Sequence, residues 1–191
     1  MLNNTTVLLP DAKDLRSVDI DARLMQDRVL YLGDQVNSET ANDLVKKLLW
    51  LERADPKAPI TLYINSPGGS VVDGMAIYDT IRRVSCPVHA VVAGMAASMG
   101  AVILSGCEKG ERSILEHGEV LLHQPLGGAQ GAATDIEIST RRMLKMKRSL
   151  LEILAANTGH TYEKLAEDCD RDYWLDAEEA LAYGIVDRIL R

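Results

Sequence analysis

Ile60-Thr61-Leu62-Tyr63-Ile64-Asn65-Ser66-Pro67-Gly68-Gly69 is a short apolar, β-rich run stopped by a proline and two glycines. Pro59 on one side and Asn65 to Gly69 on the other predict a buried strand, Ile60 to Ile64, that ends in a sharp turn. Beyond the turn, Val72, Met75, Ile77, Tyr78 and Ile81 recur at helical intervals, so a helix is expected over Val71 to Arg83. The pattern then repeats. Pro87 opens a strand from Val88 to Ala93, Gly94 breaks it, and the small residues from Ser98 to Ser105 predict a second helix. Strand, glycine turn and helix in succession, twice, predict an α/β fold.

The flanking sequence extends the alternation. Asn37-Ser38-Glu39-Thr40 offers a cap for a helix whose apolar face is Leu44, Val45, Leu48, Leu49 and Leu51, ending before Asp55-Pro56. Arg112 to Leu115 and Val120 to His123 are further strands. A small-residue stretch, Gly127 to Ala133, leads into a helix of about two dozen residues starting near Asp135. Met143, Met146, Leu150 and Ile153 form a seam along it, widened by Leu144, Leu151 and Leu154. Such a helix extends beyond one small core, and a subunit interface is expected on it. Arg141, Arg142, Lys145, Lys147 and Arg148 are expected on its solvated face. Asp176 to Gly184 predicts a short helix closed by its glycine, and Ile185-Val186-Asp187 a last strand. No repeat or linker divides the chain, so one domain is expected over residues 1–191.

Composition limits the function. The 191 residues are 47% hydrophobic and 26% charged, ordinary for a soluble globular protein. A net charge of −7 provides no basic footprint for nucleic acid. No apolar stretch approaches the ~18 residues of a membrane span, and Met1-Leu2-Asn3-Asn4-Thr5-Thr6 lacks the pattern of a secretory signal, so a cytoplasmic location is expected. Cys86, Cys107 and Cys169 have no metal-ligand spacing and are expected to be buried small hydrophobes. No phosphate-binding glycine-lysine loop occurs, so any ATP would be used by a partner. No metal or other cofactor is expected.

Two places hold candidate chemistry. Ser98, in Ala96-Ala97-Ser98-Met99-Gly100-Ala101, is a hydroxyl among small neighbours at a strand-to-helix turn, where free N–H groups and the helix dipole favour a developing oxyanion. Gly68-Gly69 is the equivalent turn one unit earlier, where a missing Cβ lets the backbone approach a ligand. Of the four histidines, His123 ends a strand just before Pro125 and is the candidate base. His89 is expected in the core, and His117 and His160 in solvent. The orienting carboxylate stays open: Asp135, Asp168, Asp170, Asp172, Asp176 and Asp187 all follow His123, and no spacing rule selects among them.

Several of these runs together resemble the proteolytic subunit of the Clp protease family. They are Tyr63 to Gly69, Ala96 to Ala101, His123-Gln124-Pro125-Leu126-Gly127-Gly128, Ala133-Thr134-Asp135-Ile136-Glu137-Ile138 and Asp170-Arg171-Asp172, in order between about Ile20 and Ile189. The resemblance implies a crotonase-like spiral of ββα units with a protruding handle helix. It implies a serine endopeptidase with Ser98 as nucleophile, His123 as base and Asp172 as third member. Gly69 and Met99 would supply the oxyanion-hole N–H groups. Gln124, Pro125, Leu126, Gly127 and Gly128 would line the extended substrate.

The same resemblance implies an axial segment over about 1–19 and a handle strand and helix over about 124–157. Two seven-membered rings would stack through the handle, with Arg171 pairing across them, around a chamber fed with unfolded protein by a AAA+ ATPase. The chain departs from the family pattern at Leu15 to Leu24 and at Glu116-His117-Gly118-Glu119. It departs also at Thr61 and Ser113, where aromatics often line the ATPase-docking cleft. A paralogue in a mixed ring is therefore an alternative. A crotonase-type acyl-CoA enzyme would share the fold without needing Ser98, His123 and Asp172 together, and an inactive ring subunit would lose one of them.

Overall fold

In the computed structural model, residues 5–11 and 14–191 are described. Strands β1 (Thr6–Asp11) and β2 (Asp14–Asp19) form an antiparallel hairpin of their own, Thr6 opposite Asp19. The hairpin lies within the stretch over about 1–19, of which residues 1–4, 12 and 13 lie outside the described residues.

The second sheet has seven strands: β3 (Val29–Leu32), β4 (Ile60–Ser66), β5 (Val88–Ala97), β6 (Arg112–Leu115), β7 (Glu119–Leu122), β8 (Tyr173–Leu175) and β9 (Arg188–Leu190). β3, β4, β5, β6 and β9 are parallel neighbours in that order. β7 pairs parallel with β5 and antiparallel with β8. The helices are α1 (Ile20–Gln26), α2 (Ser38–Ala54), α3 (Val71–Arg83), α4 (Met99–Gly106), α5 (Ala133–Thr158), α6 (Tyr162–Asp168) and α7 (Ala177–Tyr183). The order β4-α3-β5-α4-β6 is the twice-repeated strand and helix expected for the α/β spiral.

Local chemistry explains the boundaries. Asn37 and Thr40 form a reciprocal capping box at α2, and Asp176 and Glu179 do the same at α7. Gly159 and Gly184 close α5 and α7 in the left-handed region. Every residue of α4 is buried, and its sequence is accordingly apolar or small, the Ser105 hydroxyl being satisfied by Val102 O and Asn157. Alternation along β4 is strict, with Ile60, Leu62, Ile64 and Ser66 buried.

Three expectations need correction. First, Gly94 does not end β5. At φ 110° it makes a bulge, and the strand resumes through Ala97. Asn65 Oδ1 accepts the Met95 N–H at 3.2 Å and sits 2.5 Å from where a Gly94 Cβ would lie, so glycine is required there. The bulge divides the pairing of β5: Ala90 to Val92 pair with β6, and Met95 to Ala97 pair with β7.

Second, the last strand is Arg188–Leu190 rather than Ile185 to Asp187. Ile185 and Val186 are buried apolar loop residues, and the chain reaches β6 only at Asp187, whose N–H donates to Arg112 O at 2.7 Å, so the ladder runs from Arg188 opposite Ser113. Third, no strand forms over 124–132, where an extended handle strand was expected; residues 131 and 132 bend into α5. A strand needs a run of hydrogen-bonded neighbours, and among the described residues the Gln124 N–H finds Cys169 O but 125–131 make no ladder.

α5 is amphipathic only in part. Leu150, Leu151 and Leu154 are buried against the core, whereas Leu144, Ile136 and Ile138 near its start are exposed. Leu144 therefore does not widen the packed stripe. Among the described residues no helix is long and apolar enough to cross a membrane, and no group of three or more His, Cys, Asp or Glu side chains could hold a metal.

Candidate active site

Three strand ends converge. Ala97 closes β5 opposite Leu121 of β7, and Leu122 closes β7 opposite Tyr173 of β8. The next residues along these registers are Ser98, His123 and Asp172. Residues separated by 25 and 49 positions are thereby brought side by side. His123 Nε2 lies 2.8 Å from Ser98 Oγ, and His123 Nδ1 lies 3.1 Å from Asp172 Oδ1. An ionised carboxylate only accepts, so Nδ1 carries the proton and Nε2 is left to accept from the serine hydroxyl.

Ser98 stands at φ 54°, ψ −116°, one of two non-glycine residues with positive φ among those described. Its N–H donates to Leu121 O at 2.9 Å, and its own carbonyl accepts from Ala101 and Val102 as α4 begins. The strained backbone turns the hydroxyl off the strand and towards His123, the geometry of a nucleophile elbow.

The paired glycines lie against this turn. Gly68, at φ 83°, approaches so closely that a Cβ on it would be 2.6 Å from Ala97 O, 2.7 Å from Ser98 Cβ and 2.8 Å from the Met99 amide nitrogen. Val36 holds the segment, donating its N–H to Gly68 O and accepting that of Ser70, both at 2.8 Å. Among the described residues neither the Gly69 nor the Met99 N–H has an acceptor. Buried Ser66 braces the turn, its hydroxyl donating to Asp34 O and accepting the Gly68 N–H.

An apolar pocket opens beside Ser98, lined by Val71, Met99, Leu122, Pro125, Leu150 and Leu154, with Gln124 and Lys147 at it too. Leu126 is 84% exposed on the far side of His123, near Asp170, Arg171 and Asp172. Gly127 lies against Met143, and Gly128 has open space around it. The Arg171 side chain is almost wholly exposed.

The remaining histidines differ from expectation in two cases. His89 is half-buried, with Nδ1 3.8 Å from Glu111, and His160 packs on the Tyr183 ring and bonds the Tyr183 carbonyl. His117 is exposed as expected. All three cysteines are buried and free; burial pushes the Cys107 thiol up to about 12 and that of Cys169 up to about 11, leaving both inert at neutral pH.

Residues 12–191 match the family described as Clp protease. The chain belongs to the Clp protease family. Two curated relatives, each named ATP-dependent Clp protease proteolytic subunit and coming from the ATCC 25285 and YCH46 strains of Bacteroides fragilis, are both 46% identical to it over 187 residues. The alignments cover 98% of this chain and 90% and 85% of theirs.

Sequence reasoning missed several contributors to this candidate site. Gly68 was paired with Gly69 without a distinct role, although it is the residue in contact with the Ser98 turn. Asn65 was read as part of a turn, not as the group that shapes the bulge below Ser98. Lys147 was assigned to a solvated face, yet its Nζ donates to Gln124 Oε1 at 2.8 Å. Its spacing of four from Met143 and three from Leu150 already put it on the apolar side of the helix.

Proposed function

We propose that this chain is the proteolytic subunit of an ATP-dependent Clp complex and a serine endopeptidase. The continuous chain from Ser98 Oγ through His123 to Asp172 carries the reading. Ser98 Oγ attacks the carbon of a peptide carbonyl while His123 Nε2 takes its proton. The tetrahedral intermediate collapses as His123 returns that proton to the leaving amine, giving an ester on Ser98. Water, deprotonated by the same imidazole, attacks the ester carbon, and the acyl–Oγ bond breaks as His123 returns that proton to Ser98, releasing the acid product. Asp172 holds the imidazole tautomer and stabilises its cation.

The N–H groups of Gly69 and Met99 receive the oxyanion, each contributing about 3 kcal/mol to the transition state. Gly68→Ala intrudes on this hole while also forcing alanine to φ 83°. It should lower kcat about 10²–10³-fold, the range for loss of one oxyanion donor, with a smaller effect on KM in short-peptide hydrolysis. A wild-type kcat would contradict the contact.

The substrate lies extended along Gln124, Pro125, Leu126, Gly127 and Gly128, pairing through main-chain groups that carry little sequence information. The chemistry requires no cofactor from this chain, and ATP is used by a AAA+ unfoldase. The exposed apolar start of α5 is where subunits meet, and stacking of two seven-membered rings makes Arg171 available for a contact between them. The chain acts in the cytoplasm as one domain, with the β1–β2 hairpin at the axial entrance.

A serine-directed fluorophosphonate followed by peptide mapping tests the reading, with native mass spectrometry of the same sample. One label per subunit at Ser98 is expected, on a fourteen-subunit particle. An unlabelled Ser98 in the assembled particle, or labelling elsewhere, would overturn the assignment.

A further inference from the structure

Asp172 presents a physical difficulty. Its side chain is 66% exposed, so packing does not orient it, although the proposed role requires one oxygen to face His123 Nδ1. A solvated carboxylate at the end of a three-residue strand samples several rotamers unless its backbone is held. The turn just before it is held, and by the residue next to His123. The Gln124 N–H donates to Cys169 O at 2.7 Å, and Gln124 Nε2 donates to Asp170 O at 2.8 Å.

Those bonds depend on which way the Gln124 amide points. With Oε1 turned to Asp170, two acceptors would face each other. Lys147 removes that choice, because its ammonium only donates and reaches Gln124 Oε1 at 2.8 Å. Neighbouring Arg141 and Arg148 pair with Glu137 and Glu152 one helical turn away. Lys147 instead engages a neutral amide and, among the described residues, no carboxylate. From α5 to the triad the connection runs Lys147, Gln124, Asp170, Asp172.

We propose that Gln124 and Lys147 are positioning residues for peptide hydrolysis: Lys147 fixes the Gln124 amide, and Gln124 fixes the 169–172 turn so that Asp172 meets His123. The inference rests on the triad reading above. It gives the Gln124 side chain an internal bracing role beside the main-chain substrate path, and it ties the alignment of the triad to the position of the long helix.

Short-peptide hydrolysis by the assembled protein tests it. Loss of the whole carboxylate function costs a comparable triad about 10⁴ in kcat, so a loosened Asp172 should cost about tenfold through misplacement. Lys147→Met should therefore lower kcat about tenfold with KM unchanged, and Lys147→Arg, which keeps a cationic donor, should recover most of it. The double variant K147M/Q124L should be no slower than Q124L alone, since both break one connection.

An unchanged kcat in K147M, a rise in KM alone, or multiplying effects in the double variant would overturn the proposal. If K147M does not assemble by native mass spectrometry, Q124E carries the same expectation. It keeps the Lys147 contact and turns the group facing Asp170 into a charged acceptor, and wild-type kcat in it would overturn the proposal equally. Hydrolysis that survives Ser98→Ala would instead remove the triad reading, and this inference with it.

Discussion

Replacing Ser98 by alanine will lower kcat for a short peptide about a million-fold, the scale seen when a serine hydrolase loses its nucleophile, while the particle mass and thermal transition stay near those of the parent. Alanine meets the same backbone cost as serine at φ 54°, and the bonds that shape the turn are backbone bonds to Leu121, Ala101 and Val102, which the substitution leaves intact. Only Oγ and its contact with His123 Nε2 are removed. Adding His123→Ala should cause little further loss, because the two groups act on one proton. Peptide turnover within tenfold of the parent would contradict a serine mechanism.

Asp187→Ala will have the largest effect on stability, destabilising the fold by about 3–5 kcal/mol, the range for removing one partner of a buried ion pair. Arg112 is 2% exposed and donates Nε and an Nη to the Asp187 carboxylate, with further bonds to Asn157 O and Gly184 O. The same carboxylate accepts the backbone N–H groups of Gly110 and Arg112. Removing it leaves a guanidinium deep in the protein without a counter-charge, at the junction of α5, α7, β6 and β9. Urea unfolding at neutral pH measures the loss, and a change below 1 kcal/mol would contradict this account.

The pair also has a pH signature. Burial resists ionisation of Asp187, but hydrogen bonds from the Arg112 side chain and backbone and the guanidinium charge outweigh it, holding the carboxyl below its ordinary value. A depressed folded-state value stabilises fully above the unfolded carboxyl's, about pH 4, and that contribution is lost as pH falls through the folded-state value. The stability gap between the parent and Asp187→Asn should therefore be constant from pH 7 to 5 and narrow below about pH 4.

Much of the fold was legible because its signals are local. Strand β4, helices α2 and α3 and the length of α5 follow from periodicity and caps that neighbouring residues supply by themselves. The role of Gly94 is not legible locally, since it depends on distant Asn65, which fills the space that a Cβ would need. The last strand lies elsewhere for a similar reason: where the chain meets β6 is set by Asp187, whose N–H and carboxylate both bond Arg112, 75 residues away.

The candidate site divides along the same line. Ser98 and His123 could be singled out from sequence because each sits where a local pattern ends, small residues at one strand-to-helix turn and an apolar strand before a proline. Asp172 could not be separated by spacing from five other aspartates and was named only through resemblance, since its selection lies in the antiparallel register that sets Leu122 against Tyr173. Lys147 looked like one more cation on a solvated helix face, and its partner on another segment gives it a different role. By itself the sequence determined the alternation of strand and helix, the turns that present Ser98 and Gly68-Gly69, and the family. Tertiary structure alone decided which acid meets the imidazole, where β5 bends and what holds the turn before Asp172, because each depends on contacts between residues that only folding brings together.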